Sequence, residues 1–244
     1  MWRPLVLALQ FLTRFPVPAI TAANDRDMGR SVLWYPLVGL LIGLALIVLS
    51  GAIDTTPVVL RAALLLAAWV FVTGGLHLDG LADSADAWLG GLGNRDRTLA
   101  IMKDPCCGPG AVVTVVVVLL VKFAALESIL TAGDWKPLVL APWLARALLP
   151  LLFLTTPYVR PGGLGAAMAQ YLPRRAAVGV VLTTALVAPA LTGKPGLLAL
   201  AVATAMFVLL RTLMQRRLQG TTGDTAGALV ELVETAILTV SAMS

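Results

Sequence analysis

The chain has 244 residues, with 59% hydrophobic and only 13% charged side chains, where a soluble domain carries about 25%. Together with a mean hydropathy of +0.90, so little charge excludes a soluble enzyme, a disordered regulator and a disulfide-stapled secreted domain, and indicates a polytopic membrane protein in a lipid bilayer. The 18 Lys and Arg against 13 Asp and Glu give a net charge of +5, which reads as basic residues gathered in cytoplasmic loops, with no nucleic acid as partner.

In chain order, residues 1–12 form a short apolar run followed by Arg14, Pro16 and Pro18, without a small-residue cleavage site; this predicts an interfacial segment kept in the protein. A membrane-spanning helix needs about 20 mostly apolar residues. Seven stretches meet or approach this: 31–50, 58–76, 111–130, 138–156, 176–192, 196–213 and 225–242. Residues 112–118 are rich in Val, but the apolar run continues to residue 130, so length favours helix over strand. Turns are marked by Thr56-Pro57, Gly108-Pro109-Gly110, Trp135-Lys136-Pro137, Arg160-Pro161-Gly162-Gly163 and Gly193-Lys194-Pro195-Gly196. The expected fold is all-α, a single-domain bundle over residues 1–244 with about seven transmembrane helices and a cytoplasmic catalytic loop.

Basic residues alternate between loops. Thirteen flank one set (Arg3, Arg14, Arg26, Arg30; Arg95, Arg97, Lys103; Arg160, Arg174, Arg175; Arg211, Arg216, Arg217), and only Arg61, Lys136 and Lys194 flank the other. This bias puts the N-terminus, the 76–110 loop and the 215–224 loop in the cytoplasm. Cys106 and Cys107 are adjacent, poor geometry for a disulfide, and with His77 the only histidine a closed zinc site lacks ligands.

The acids are clustered. Asp79, Asp83, Asp86, Asp96 and Asp104 share one loop, and Asp224, Glu231 and Glu234 lie at the start of the last span. Asp79, Asp83 and Asp86 fall at i, i+4 and i+7, on one face of a helix continuing from the second span. Three neighbouring carboxylates repel unless a cation lies among them. A hard ion such as Mg2+, which takes one or two carboxylates plus phosphate oxygens, points to a diphosphate-bearing substrate. The following Gly90-Gly91-Leu92-Gly93-Asn94-Arg95-Asp96-Arg97 and Ile101-Met102-Lys103-Asp104 offer backbone amides and cations to phosphate. Glu231 and Glu234 lie about 9 and 13 Å along the last span from Thr225. At that depth they either pair with mid-span Lys122 and Arg146 or contact substrate.

Phe11-Leu-Thr-Arg-Phe-Pro16-Val-Pro18, Gly74-Gly75-Leu-His77-Leu-Asp79-Gly80-Leu-Ala-Asp83-Ser-Ala-Asp86, Ile101-Met102-Lys103-Asp104 and Thr222-Gly223-Asp224 with Gly227-Ala228 and Glu231, in this order, resemble the cobalamin synthase family, the adenosylcobinamide-GDP ribazoletransferases. The resemblance spans almost the whole chain. It implies a multi-pass bacterial inner-membrane enzyme of cobalamin biosynthesis that joins adenosylcobinamide-GDP and α-ribazole, or α-ribazole 5′-phosphate, and releases GMP with magnesium as cofactor. On this reading Asp79, Asp83, Asp86 and Asp104 are the metal set; Arg95, Arg97, Lys103, Asp224, Glu231 and Glu234 are substrate contacts; and His77 is the candidate base, with an orienting role or an aspartate base as alternatives. A homo-oligomer is compatible with such a chain.

Three other classes compete. A CDP-alcohol phosphotransferase would show Asp-Gly-x-x-Ala-Arg, whereas here Asp79-Gly80 is followed by Ala82-Asp83 and the Arg is absent, and an intramembrane prenyltransferase would show two separated aspartate-rich motifs preceded by Asn. A transporter would instead use Lys122, Arg146, Glu231 and Glu234 as its path.

Overall fold

A computed structural model describes residues 2–162 and 164–244. Met1 of the N-terminal apolar run and Gly163 of the fourth turn lie outside the described residues. The secondary structure is helical: α1 (Trp2–Leu12), α2 (Asp25–Ser31), α3 (Tyr35–Ala52), α4 (Val58–Thr73), α5 (Leu76–Gly90), α6 (Arg95–Ile101), α7 (Pro109–Thr131), α8 (Lys136–Thr155), α9 (Leu164–Gln170), α10 (Arg174–Thr192), α11 (Lys194–Leu218) and α12 (Gly223–Ala242). Residues Asp25–Ala52 run on through a short 3-10 turn, and this stretch with α7, α8, α10, α11 and α12 gives six helices long and apolar enough to cross a membrane among the described residues. Helix α4 makes the seventh when taken with α5, from which it is bent by 88°. The all-α bundle of about seven spans therefore stands, and the protein is a membrane protein.

The second span does not continue as one helix into the aspartate stretch, as its sequence pattern predicts. Gly74 and Gly75 both take positive φ, +63° and +68°, a conformation that side chains with a Cβ resist, and they turn the chain through the bend. Beyond the bend α5 carries His77 and the aspartates, packed against α7 and α12.

Helix α8 is the hub. Its residues are buried almost throughout, whereas Val112, Val113, Val116, Val117 and Leu120 of α7 lie exposed, as lipid-facing side chains do. Gly39 and Gly43, spaced one turn apart, bring α3 onto α8: a Cβ on Gly43 would meet the Val139 Cα at 2.6 Å. Small residues at this spacing are how helices approach closely in lipid, where no hydrophobic force between helices exists. The N-terminal segment is present as α1, with Leu7, Ala8 and Leu12 buried against the bundle and Trp2 exposed.

Candidate active site

Two glycines bring the aspartate helix onto the last span. A Cβ on Gly80 would lie 2.7 Å from the Asp224 carbonyl oxygen, and one on Gly227 3.3 Å from the His77 backbone, so α5 crosses the head of α12 with little space between the backbones. That head is fixed by a capping box in which Thr222 and Thr225 exchange side-chain and backbone bonds. Tyr158 pairs with Thr221 as an isolated bridge, with Val159 N–H donating to Thr221 O at 2.9 Å and Thr221 N–H to Pro157 O at 2.8 Å. The bridge carries the segment after α8 to the same point, and Arg160 there donates to Asp224 Oδ2 at 2.8 Å.

A cavity of about 150 Å3 opens at this junction, with His77, Asp79 and Asp224 in its wall beside Tyr35, Phe153 and Met168. A larger, more open cavity of about 630 Å3 adjoins it across Phe153 and holds Tyr158, Arg160, Gln170 and Arg174. On the other side of Asp79 a third space of about 520 Å3 is bordered by Arg14 and the Gly74–Gly75 bend. Asp79 thus stands between two basic margins.

The carboxylates crowd one another. Burial first, then the neighbouring charges of Asp79 and Asp224, push the Asp83 carboxyl up to about 6, against a smaller downward pull from Arg160. Burial and Asp224 likewise raise the Tyr158 phenol. Such repulsion, only partly offset by Arg160, is the setting a hard cation relieves. Among the described residues no three His, Cys, Asp or Glu side chains converge as closely as a full protein ligand set requires. Magnesium does not need one, since one or two carboxylates suffice when waters and substrate phosphates fill the remaining positions. The oxygen donors of Asp79 and Asp83, with Asp224 opposite, fit that mode of binding.

The other sequence-predicted residues are distributed differently. Asp86 accepts from the Gly108 and Ala111 amides at 2.5 and 2.8 Å, so both its oxygens hold the start of α7. Asp104 is exposed on its own loop, where bonding from Cys106 holds its carboxyl below the usual carboxylate range. Arg95 donates from Nε to Leu218 O at 2.8 Å, satisfying a C-terminal carbonyl of α11, and also pairs with Asp96. Arg97 and Lys103 are exposed and line none of the three cavities.

Glu231 and Glu234 lie beneath the cavity in a buried ionic cluster. Lys122 Nζ bridges them at 2.6 and 2.5 Å and sits 5.0 Å from the Trp69 ring centroid. Arg146, fully buried, pairs with Glu234 and donates to Pro142 O at 3.3 Å. Its Nη2 lies 3.4 Å from His77 Nδ1. A guanidinium has no acceptor, so a bond here makes Nδ1 the acceptor and puts the ring proton on Nε2, which has no partner among the described residues. Structural pairing, one of the two roles open to the glutamates, is what the geometry displays.

Arg160, Arg14 and Tyr158 escaped the sequence reading as site residues. Arg160 was visible only as one more base in a turn, and its approach to Asp224 depends on the bridge to Thr221.

A family model described as cobalamin-5-phosphate synthase matches residues 4–242. The adenosylcobinamide-GDP ribazoletransferase of Pseudomonas aeruginosa strain PAO1 is 57% identical over 244 residues, covering 99% of this chain and 98% of that protein. The protein of the same name from Ectopseudomonas mendocina is 58% identical over 238 residues, covering 98% of each, and that from Pseudomonas putida strain GB-1 is 58% identical over 237 residues, covering 96% of each. No solved structure matches the chain. With nearly its full length matched by the family model and by relatives at this identity, the chain belongs to the cobalamin-5-phosphate synthase family.

Proposed function

We propose that this chain catalyses the ribazoletransferase reaction for which its relatives are named, joining adenosylcobinamide-GDP to α-ribazole or its 5′-phosphate. The ribose 3′-hydroxyl oxygen forms a bond to the cobinamide-side phosphorus, the bond from that phosphorus to the oxygen bridging to GMP breaks, and GMP leaves. The observation that carries this reading is the gathering of Asp79 and Asp224 in one cavity wall, with Asp83 close enough to feel both charges. Arg160 adjoins them.

Asp79 and Asp83 would hold a magnesium ion, which when bound supplies positive charge to the diphosphate. Asp86 serves that site by fixing the start of α7 through two amides. Arg160 and Arg14, on either side of Asp79, provide guanidinium forks suited to phosphate oxygens. Arg160 is already bonded to Asp224, so a substrate phosphate competes with that carboxylate for it. His77, with Nδ1 accepting from Arg146, offers Nε2–H as a donor at the cavity. The hydroxyl proton passes to Asp224, the cavity carboxylate not assigned to the metal.

Arg14 after α1, Arg160 after α8, Arg174 and Arg175 at the start of α10 and Arg216 and Arg217 at the end of α11 belong to the basic set of the sidedness bias, which supports an inner-membrane enzyme with its N-terminus and this cavity on the cytoplasmic side. A transport path through Lys122, Arg146, Glu231 and Glu234 finds no support, because all four are buried and paired with one another. The test is release of GMP from adenosylcobinamide-GDP by purified protein in liposomes with α-ribazole and magnesium, followed by chromatography. GMP no higher than in a protein-free control rejects the reading.

A further inference from the structure

A groove of about 350 Å3 lies on the other face of α5 from the carboxylates, walled by α5, α11 and α12 with Thr114 of α7. Leu210, Leu213 and Met214 supply the α11 wall, and Ser84 and Trp88 are on the α5 side. These residues recur at i, i+3 and i+4, so each helix turns one continuous stripe to the groove. Arg217 completes the α11 stripe seven residues beyond Leu210, in the last turn of the helix beside Arg216. The walls therefore run about 10 Å along α11 from that charged end.

Two features of the groove point to a ligand. The Ser84 hydroxyl is buried in its wall with no hydrogen-bond partner, although a helical serine ordinarily bonds back to its preceding turn. At the charged end Arg217 lies over the Trp88 indole, 5.9 Å from the ring centroid, and donates to Trp88 O at 2.9 Å and Thr98 Oγ1 at 3.1 Å. Those bonds use two of its five N–H groups, and exposed Arg216 and Arg97 stand at the same end.

From the apolar walls, the orphaned hydroxyl and the cationic mouth together, we infer that this groove binds one anionic phospholipid. An acyl chain lies along the α11 and α5 stripes, an ester or phosphate oxygen accepts from Ser84, and the headgroup phosphate meets the remaining N–H groups of Arg217. An acyl chain alone would satisfy the walls but not the mouth, and free phosphate the mouth but not the walls. A helix of a second copy would leave both Ser84 and Arg217 without an acceptor. The inference is independent of the transferase reading, because none of these side chains borders the carboxylate cavity.

The test uses full-length protein stripped of lipid in mild detergent, with phosphatidylglycerol, phosphatidylcholine of the same chains, and inorganic phosphate added separately. Native mass spectrometry and thermal shift should report one phosphatidylglycerol held at least about tenfold more tightly than phosphatidylcholine, and no shift with phosphate alone. Leu213→Trp, which fills the groove from its rim, should weaken both lipids about tenfold. Arg217→Gln should abolish the preference by weakening phosphatidylglycerol far more than phosphatidylcholine. Equal affinity of the unaltered protein for the two lipids, stabilisation by phosphate alone, or cross-linking of two copies through Leu213→Cys would each overturn the inference. Bromination of the phosphatidylglycerol chain should also quench Trp88 fluorescence saturably in the unaltered protein, measured against Trp88→Phe. Absence of that quenching counts against the groove even if a groove variant fails to fold.

Discussion

The crossing of α5 over α12 makes a sharp prediction at Gly80. An added Cβ would stand 2.7 Å from the Asp224 carbonyl oxygen and 3.1 Å from its Cα, both backbone atoms that cannot rotate away, where ordinary contact begins at 3.4 Å. In Gly80→Ala the two helices must therefore separate by about 0.7 Å, an overpacking change that costs about 1–3 kcal/mol. In a chain of this length each kcal/mol lowers the melting temperature by about 2–4 °C. The same displacement carries Asp79 and Asp83 away from Asp224. Since a misplacement of about 1 Å can cost about 100-fold in rate, kcat should fall by about 10- to 100-fold while KM changes less. Gly227→Ala, with a milder 3.3 Å approach to the His77 backbone, should lie between it and the parent. Gly51→Ala, whose Cβ would meet nothing within 4 Å, is the control and should stay within about twofold. Turnover is read as GMP release in liposomes below every variant's melting temperature. A Gly80→Ala protein as active as Gly51→Ala would refute the claim that close approach of these two backbones sets the site.

Four further outcomes are expected. Asp79→Asn and Asp83→Asn should each lower kcat by at least about 100-fold and raise the magnesium concentration for half-maximal rate, whereas exposed Asp104→Asn should change either by less than about fivefold. Lys122→Met strands Glu231 and Glu234 with one cation between them and should destabilise by about 3–5 kcal/mol in thermal unfolding, with much of the loss recovered in Lys122→Met/Glu231→Gln. His77→Gln, whose amide nitrogen can replace Nε2–H, should retain more kcat than His77→Asn, and the reverse order would assign the essential contact to Nδ1. Asp83 has a carboxyl raised from 3.8 to about 6 by folding, so its contribution to stability is full below pH 3.8 and is lost as pH rises through 6. Protein in chelator should accordingly melt at lower temperature at pH 7.5 than at pH 5, with magnesium removing the difference, as circular dichroism can follow.

Much of the architecture was legible because lipid imposes simple rules: long apolar helices, punctuated by Pro and Gly, with bases on one side. The break after α4 was not legible. Gly74-Gly75 interrupts an apolar run that otherwise reads as continuous helix, and only the paired positive φ values reveal a bend there. Asp79 and Asp83 were legible as a helical pair, and the mid-span Glu231, Glu234, Lys122 and Arg146 as groups in need of partners. Arg95 illustrates what spacing cannot convey. Next to glycines it resembles a phosphate ligand, yet its guanidinium closes the end of α11. Conversely, Arg160 gains its importance from a backbone bridge between segments distant in sequence, a relation that no local pattern encodes.

The buried cluster and the surface carboxylates form one design when taken by element. His77 sits on α5, Arg146 on α8, Glu231 and Glu234 on α12 and Lys122 on α7, so the chain of contacts from His77 through Arg146, Glu234 and Lys122 to Glu231 ties four helices at one level. Two cations and two anions leave no net charge in a region where an unpaired one is costly. Apolar residues of similar volume could fill that space at least as stably, but they would not fix the rotation of each helix about its axis. That rotation decides which residues of α5 and α12 face the cavity, because a turn of one residue, about 100°, would carry Asp79 and Asp224 out of its wall. The pairing of these charges one layer below the cavity thus ties together the helices whose rotation sets its wall.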